Sequence, residues 1–233
     1  MLQLYIGNKN YSSWSMRPWV LLTQAQIPFD EVMVRFDSFD ADSQFKQRLA
    51  SVSPTGKVPV LVDDHDGRAD PTVVWDTLSI TEYVAEQFAD RALWPRDLSA
   101  RATARSACAE MHSGFGALRS ACPMNIEAHL PEVGALIWRD NAGVRRDVER
   151  LTQLWEGLLC RHGGPLLFGA FTAVDAYFAP VCMRLHTYAL PVSPAVAAYV
   201  AAVRALPGVQ AWIRDALAEH DFLAFEEPYR LRR

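Results

Sequence analysis

The 233-residue sequence has few cysteines, and none of them falls into a recognised motif. The four are Cys108, Cys122, Cys160 and Cys182. They form no Cys-x-x-Cys pair and have no histidine partners at metal-ligand spacing, so we expect no metal cofactor. Reduced thiols in a cytoplasmic protein are the simplest interpretation.

The sequence also lacks the marks of membrane, nucleic-acid-binding and nicotinamide-dependent proteins. No apolar stretch reaches the roughly 18 residues that a membrane-spanning helix needs, and the first residues have no basic and apolar signal segment. Acidic residues outnumber basic ones, 27 to 23, which argues against a basic nucleic-acid-binding face. No Gly-x-Gly-x-x-Gly run occurs. We therefore expect neither a membrane nor a nucleic acid among the partners.

The first part of the chain alternates between strand and helix patterns. Half of all residues are hydrophobic, so a normal packed core is expected. Short β-type runs and amphipathic runs predict strands at 2–6, 30–34, 60–62 and 72–75 and helices at 16–25, 41–50 and 78–88. The turn-forming residues 64–67 predict a hairpin between the last two strands. This order gives one mixed sheet with helices packed on it, an α/β thioredoxin-like domain over residues 1–88.

The pattern changes after residue 88. Residues 89–98 contain a proline break and read as a linker. From 99 to 233 we find only helical periodicity, in windows at 99–118, 144–161, 173–188, 194–206 and 209–219. The second domain is therefore predicted to be all-α. Thr172 and Asp175 fit a capping box at the start of one of its helices, which is a folding element.

Two segments predict a binding edge for an extended peptide that carries a carboxylate. Pro59 opens a strand and cannot donate to a sheet ladder, which leaves the backbone of Val58 free to pair with a ligand. Asp76 and Thr77 follow a strand and form a helix N-cap signature, and helix N-termini attract carboxylates.

These segments and the two-domain order resemble the cytosolic glutathione transferase family over essentially the whole chain. The resemblance implies that glutathione is bound as a co-substrate. It implies a cis peptide bond before Pro59 and pairing of Val58 with the cysteinyl unit. Lys57 would reach the glycyl carboxylate, although a solvated lysine is an equal alternative. Asp76 would contact the α-ammonium group, and Thr77 would offer its N–H and hydroxyl to the α-carboxylate.

A serine cluster before the first long helix is the expected thiol-activating group. Ser12, Ser13 and Ser15 could act partly as helix caps, but capping needs only one or two of them. Because a free thiol has a pKa near 8.5, a hydroxyl donor and the helix N-terminus would stabilise its thiolate. Ser12 is the first choice, followed by Ser13 and Ser15. Tyr5 and Tyr11 are weaker options.

The cluster resembles the zeta-class pattern Ser-Ser-Cys-Ser-x-Arg, with Arg17 at the arginine. Trp14 replaces the cysteine that belongs to the site of the zeta-class isomerase. No cysteine precedes residue 108, so a nucleophilic cysteine of the omega or glutaredoxin type is excluded.

The predicted function is that of a glutathione transferase, which attacks an electrophilic small molecule with the glutathione thiolate. A glutathione-dependent cis–trans isomerase of the maleylacetoacetate or maleylpyruvate type is an alternative, as is a non-catalytic binding protein of the same fold. The resemblance also implies a homodimer. The second-substrate pocket is expected to involve Trp14, Met111, His112 and Phe115, with Arg119 nearby. His112 could be a general base or a structural histidine.

Overall fold

The computed structural model describes residues 1–64 and 70–233. Most of the predicted hairpin turn at 64–67 lies outside this part of the chain. Four strands form one sheet, with β2 and β1 parallel and the β1–β3 and β3–β4 pairs antiparallel, in the order β2-β1-β3-β4. They are β1 (Leu2–Ile6), β2 (Asp30–Met33), β3 (Val60–Asp63) and β4 (Thr72–Trp75). Three helices belong to this part: α1 (Ser13–Gln24), α2 (Gln44–Leu49) and α3 (Thr77–Gln87).

The remaining helices follow a short 3₁₀ turn at Ala89–Arg91. They are α4 (Leu98–Ser113), α5 (Gly116–Ala121), α6 (Pro131–Asp140), α7 (Ala142–His162), α8 (Ala173–Thr187), α9 (Pro194–Ala205) and α10 (Pro207–Glu219). The predicted architecture, a mixed sheet with helices followed by a helical part, is confirmed. The division into independent domains at 1–88 and 99–233 stays a prediction.

Alternating side chains of β1 explain where the first core forms. Leu2, Leu4 and Ile6 are buried on one face, as the period of two predicts. Helices α1 and α3 pack close to this sheet. Helix α8 is apolar around nearly its whole circumference, and it lies at the centre of the helical part, against α1, α4 and α9.

Four helices differ from their predictions, and the first of them, α2, begins at Gln44, three residues after its predicted start. The window 99–118 contains two helices, because the chain turns at Gly114 and Phe115, and Phe115 has a positive φ of 55°. Helix α6 lay in no predicted window. Its apolar residues gather on one face of the helix, but only one of its residues, Gly134, is fully buried. Helix α1 begins at Ser13, three residues before its predicted start, because apolar periodicity does not register a polar first turn.

Asp175 at the start of α8 is fully buried and accepts four hydrogen bonds. Its carboxylate accepts from the backbone N–H of Thr172 at 2.9 Å and from that residue's hydroxyl at 3.3 Å. It also accepts from the N–H of Leu167 at 3.3 Å and the hydroxyl of Tyr199 at 3.1 Å. Burial nevertheless raises the pKa of Asp175 to about 6. The carboxylate therefore ties the helix start to its surroundings, which is the folding role expected of it.

Within residues 1–64 and 70–233, no single helix has the length and apolar composition needed to cross a membrane. Helices α9 and α10 meet those criteria only as a pair, and the pair is bent by 73°.

Candidate functional site

The predicted peptide-binding edge borders a cavity of about 490 Å³. The Val58–Pro59 peptide bond is cis, as the resemblance implied. Val58, Pro59 and Lys57 line the cavity on one side, and Asp76 and Thr77 line it on the other. All five residues predicted to bind glutathione are thus brought together around one space.

Asp76 occupies the N-cap position of α3 and is shared between two partners. Its Oδ1 accepts from the N–H of Leu78 at 2.8 Å, and its Oδ2 lies 3.3 Å from Nε2 of His112. The residue has a φ of 73°, a left-handed conformation that Asp tolerates better than bulkier residues. The first N–H groups of α3 have no intrahelical backbone partners, and the carboxylate of Asp76 caps that of Leu78.

The hydroxyl of Thr77 does not project freely into the cavity. It donates to the carbonyl oxygen of Trp14 at 3.2 Å, and Thr77 is almost fully buried. The reason lies in α1, where Pro18 stands four residues after Trp14 and has no N–H to donate to that carbonyl. The hydroxyl is thus engaged within the chain, and its contact with a carboxylate stays a prediction, as does that of the backbone N–H of Thr77.

His112 lies on α4 beside the first cavity. Its Nδ1 lies 3.3 Å from the hydroxyl of Tyr177, its Nε2 faces Asp76, and its ring centroid is 5.0 Å from that of Trp14. Each ring nitrogen thus has a protein partner. His112 therefore lines the first cavity together with Asp76 and Thr77, and its part in a second-substrate pocket stays a prediction.

The three serines of the cluster have different partners. Ser12 is the N-cap residue of α1, but its side chain makes no capping bond; its hydroxyl donates to Oγ of Ser15 at 2.7 Å. The Oγ of Ser15 also accepts from the N–H of Gly7 at 3.2 Å, and Ser15 is fully buried. Ser13 instead accepts from a guanidinium nitrogen of Arg184 at 3.1 Å. The cluster therefore divides into a Ser12–Ser15 pair and a Ser13–Arg184 pair.

A second cavity of about 530 Å³ adjoins the first. The two share four lining residues, which are Trp14, Lys57, Val58 and Arg119. Ser12 and Ser13 line the second cavity only, and aromatic side chains form another part of its wall. These aromatic residues are Tyr11, Phe36, Phe39 and Phe45.

Arginines surround Trp14 at the junction of the cavities. The guanidinium of Arg17 lies 4.2 Å and that of Arg119 4.9 Å from the centroid of the Trp14 ring. Burial lowers the pKa of Arg17 to about 9 and that of Arg184 to about 10. All three remain cationic near neutral pH, so the junction is electropositive.

Two predicted pocket residues do not reach either cavity. Met111 and Phe115 are buried in the main hydrophobic core. Apolar spacing in the predicted helix at 99–118 is compatible with both a core and a pocket position for them, because burial against protein and burial against a ligand use the same residue types. Arg184 of α8 was missed. The sequence did contain a signal for it, which was a single arginine in a mostly apolar helix. Arginine is almost never fully buried without a partner, so such a residue indicates a polar contact.

The chain matches two family models, which are described as the glutathione S-transferase N-terminal domain over residues 11–87 and the C-terminal domain over residues 119–215. A probable maleylacetoacetate isomerase of Caenorhabditis elegans is 28% identical over 198 residues, which is 82% of each chain.

Solved structures resemble the whole chain. A glutathione transferase homologue from Burkholderia BGR1 with bound glutathione has a TM-score of 0.66 at 24% identity, covering 94% of this chain and 99% of that one. A glutathione transferase from Methylococcus capsulatus has a TM-score of 0.67 at 21% identity, covering 94% and 100%. These two likenesses concern the fold.

Proposed function

Since the chain belongs to the glutathione S-transferase family, we propose that it binds glutathione in the first cavity and activates the thiol for attack on a second substrate. The observation that carries this proposal is the shared border of the two cavities at Val58. A cysteinyl unit paired with the backbone of Val58 would present its sulfur to the second cavity, on the side where Ser12 lies.

The two ends of glutathione have oppositely charged partners in this arrangement. The γ-glutamyl α-carboxylate would accept from the N–H of Thr77 at the start of α3, and the α-ammonium would face Asp76. The exposed Lys57 would meet the glycyl carboxylate. Each charge on the tripeptide is thereby matched by a group lining the first cavity.

Ser12 is the proposed thiolate donor, and Ser15 positions it. The oxygen of Ser15 accepts from the N–H of Gly7, and it lies beside the oxygen of Ser12. The hydroxyl proton of Ser15 can therefore be donated to Ser12. Ser12 would then turn its own proton from Ser15 toward the sulfur. A chain of hydrogen bonds of this kind polarises each member and strengthens the last donor. Lowering the thiol pKa by about two units requires about 2.7 kcal/mol, which one hydrogen bond to a charged group and a helix N-terminus can supply.

The proposed reaction is conjugation. The thiolate forms a carbon–sulfur bond. Either a leaving group departs from the attacked carbon with its electron pair or, in an addition, the π electron pair of that carbon moves to the neighbouring atom, which takes up a proton. Isomerisation is the second candidate, favoured by the name and 28% identity of the nematode relative and by the serine pattern. In that case the thiolate adds, a carbon–carbon bond rotates and the thiolate leaves. Trp14 at the position of the zeta-class cysteine favours conjugation.

The same proposal includes a cytoplasmic homodimer without a metal cofactor. All four cysteines are free thiols, which suits a reducing compartment. Trp75 on β4 and Leu98 on α4 are exposed apolar side chains. They support a dimer interface to which both the sheet part and the helical part of the chain contribute. Light scattering at micromolar concentration should give twice the mass of the chain, and a monomer would contradict the dimer.

Calorimetric titration with glutathione tests the function first, and absence of millimolar-or-better binding would refute both enzymatic candidates. Conjugation of 1-chloro-2,4-dinitrobenzene and isomerisation of a maleyl keto acid then separate them. Ser12→Ala should bind glutathione but lose turnover, with Ser99→Ala on the outer start of α4 as the matched control. Unchanged turnover in Ser12→Ala would move the donor role to Ser13 or Ser15. Binding without either reaction would indicate a non-catalytic member of the family.

A further inference from the structure

The second cavity contains an arginine whose charge is not matched by a carboxylate contact. Arg184 is 6% exposed, and its guanidinium donates to the carbonyl oxygens of Cys122 at 2.5 Å and Arg119 at 3.3 Å and to Oγ of Ser13 at 3.1 Å. None of these acceptors carries a formal charge. Among the described residues, Arg184 forms no ion pair within 4.0 Å.

Arg119 adds a second such cation to the same cavity. Its guanidinium donates to the carbonyl oxygens of His112 at 3.3 Å and Gly114 at 3.4 Å and lies over the ring of Trp14. No carboxylate of the described chain lies within ion-pairing distance of it either. Burial lowers the pKa of both Arg119 and Arg184. A buried cation that is paired only with neutral acceptors is costly, and an anion beside it would recover that cost.

The charged residues that line the second cavity also favour an anion. Lys46, Lys57, Arg119 and Arg184 line it together with a single acidic residue, Glu226. Burial raises the pKa of Glu226, whereas the nearby Arg184 favours its ionised form. If Lys57 is reserved for glutathione, three cations still face one carboxylate. The same cavity wall includes the aromatic side chains Phe36, Phe39 and Phe45.

We propose that the second cavity takes an anionic electrophile, a planar molecule with one carboxylate, and that Arg119, Arg184 and Ser13 bind this carboxylate. The planar part lies against the aromatic wall, and the carboxylate accepts from the two guanidinium groups and from the hydroxyl of Ser13. Ser13 is free to donate because its oxygen already accepts from Arg184. Guanidinium groups favour carboxylates because of their planar set of donors. This inference rests on the proposed function, since it names the substrate class of the same site.

A binding experiment tests the inference without requiring turnover. The protein is saturated with S-methylglutathione, which has no thiol and cannot react, and is titrated by calorimetry with 3,5-dinitrobenzoate or with its neutral isostere 3,5-dinitrobenzamide. We expect the benzoate to bind at least tenfold more tightly than the benzamide, because only the benzoate offers a charge to the arginines. Equal affinities, or binding of neither compound, would overturn the inference.

Variants identify the groups responsible. Arg119→Gln should weaken benzoate binding about tenfold or more and leave benzamide binding within about twofold. Because Arg184 is buried and its loss would leave its acceptors unsatisfied, Arg184→Lys is the second variant, checked by circular dichroism, and it should also reduce the preference. Arg146→Gln on the exposed face of α7 is the matched control. Glu226→Gln should act in the opposite direction and tighten benzoate binding, since it removes the one carboxylate that competes for these cations.

The proposed function and the inference about the second substrate can be refuted separately. Loss of glutathione and S-methylglutathione binding would refute the proposed function. Intact S-methylglutathione binding with a benzoate preference that survives in both Arg119→Gln and Arg184→Lys would refute only the anion-binding role of these arginines.

Discussion

The hydroxyl of Thr77 donates to the carbonyl oxygen of Trp14, and this bond replaces one that α1 cannot make. Pro18 occupies the position whose N–H would otherwise reach that carbonyl. The bond links the start of α3 to the first turn of α1. Both elements border the first cavity, so the bond fixes their relative position.

Thr77→Val should therefore affect folding more than glutathione binding. Loss of the hydroxyl leaves a buried carbonyl unsatisfied, which costs about 1–3 kcal/mol of unfolding free energy. The glutathione affinity should change less than threefold, since the proposed contact uses the backbone N–H. Urea unfolding and calorimetry measure the two effects, with Thr77→Ser as the variant that retains the hydroxyl. A large loss of affinity with unchanged stability would show that the hydroxyl binds the ligand.

Ser15→Ala should raise the pKa of the bound glutathione thiol, although Ser15 is buried and touches no ligand. The substitution removes the donor that would support Ser12, so the effect should be smaller than that of Ser12→Ala, about half a pKa unit against one or more. Ultraviolet absorbance of the thiolate across a pH series measures both values. Identical thiol pKa values in wild type and Ser15→Ala would exclude the hydrogen-bond chain.

Asp76→Asn should weaken glutathione binding about tenfold, because it removes the charge that faces the α-ammonium group. The amide oxygen can still accept from the N–H of Leu78, so the cap of α3 and the stability should be nearly preserved. A glutathione analogue without the α-amino group is the control ligand. It should bind wild type and Asp76→Asn equally, and a tenfold difference for this analogue as well would assign the loss to a disturbed cap.

His112→Gln should raise the KM for glutathione a few-fold while leaving the shape of the pH–rate profile unchanged. Both ring nitrogens face protein groups, Asp76 and Tyr177, so the histidine is placed to orient Asp76. Glutamine retains a donor for that carboxylate. Initial rates over a range of pH and glutathione concentration separate the two effects. Disappearance of an ionisation from the kcat profile would instead make His112 a general base.

Asp175 should make stability depend on pH in the direction opposite to most carboxylates. Its pKa is raised to about 6 in the folded chain, so between about pH 4 and pH 6 the folded state binds a proton that the unfolded state does not. The contribution of Asp175 therefore grows as the pH falls through 6 and is lost as the pH rises through it.

The difference in unfolding free energy between wild type and Asp175→Ala measures this contribution. It should be about 1.4 kcal/mol larger at pH 5 than at pH 8, and its full span of about 3 kcal/mol is reached only below about pH 4. Denaturant unfolding of both proteins at pH 5 and at pH 8 gives this difference. Leu217→Ala, at an exposed position, is a control whose difference should not vary with pH. A larger difference at pH 8 would mean that the hydrogen bonds to Asp175 outweigh its burial.

Local patterns in the sequence predicted most of the strands and helices. Every described strand lies within two residues of its predicted bounds, because alternating apolar residues and flanking turns report burial on one face. Helix α6 escaped detection because it buries little, and the break at Gly114 escaped it because apolar spacing continues across the turn. Both features are decided by tertiary packing.

The candidate site also has features that could be predicted from the sequence and features that could not. The cap at Asp76 could be anticipated from its residue type, whereas the cis bond before Pro59 could be anticipated only from the family resemblance, because most proline peptide bonds are trans. The use of the Thr77 hydroxyl and the approach of Arg184 to Ser13 could not. Both depend on pairs of groups far apart in the chain, 63 and 171 residues, which no local pattern connects.

The residues proposed to hold glutathione and those proposed to bind the carboxylate of the second substrate lie in different parts of the chain, and this has an evolutionary consequence. The proposed contacts to glutathione come from Ser12 and from residues 57–77, whereas Arg119, Arg184 and Glu226 come from three separate later segments. Substitutions in those segments could change the preferred charge of the second substrate without altering a single contact to the tripeptide. In a duplicated copy of the gene, selectivity could thus diverge by a few exchanges while the chemistry at sulfur is inherited intact.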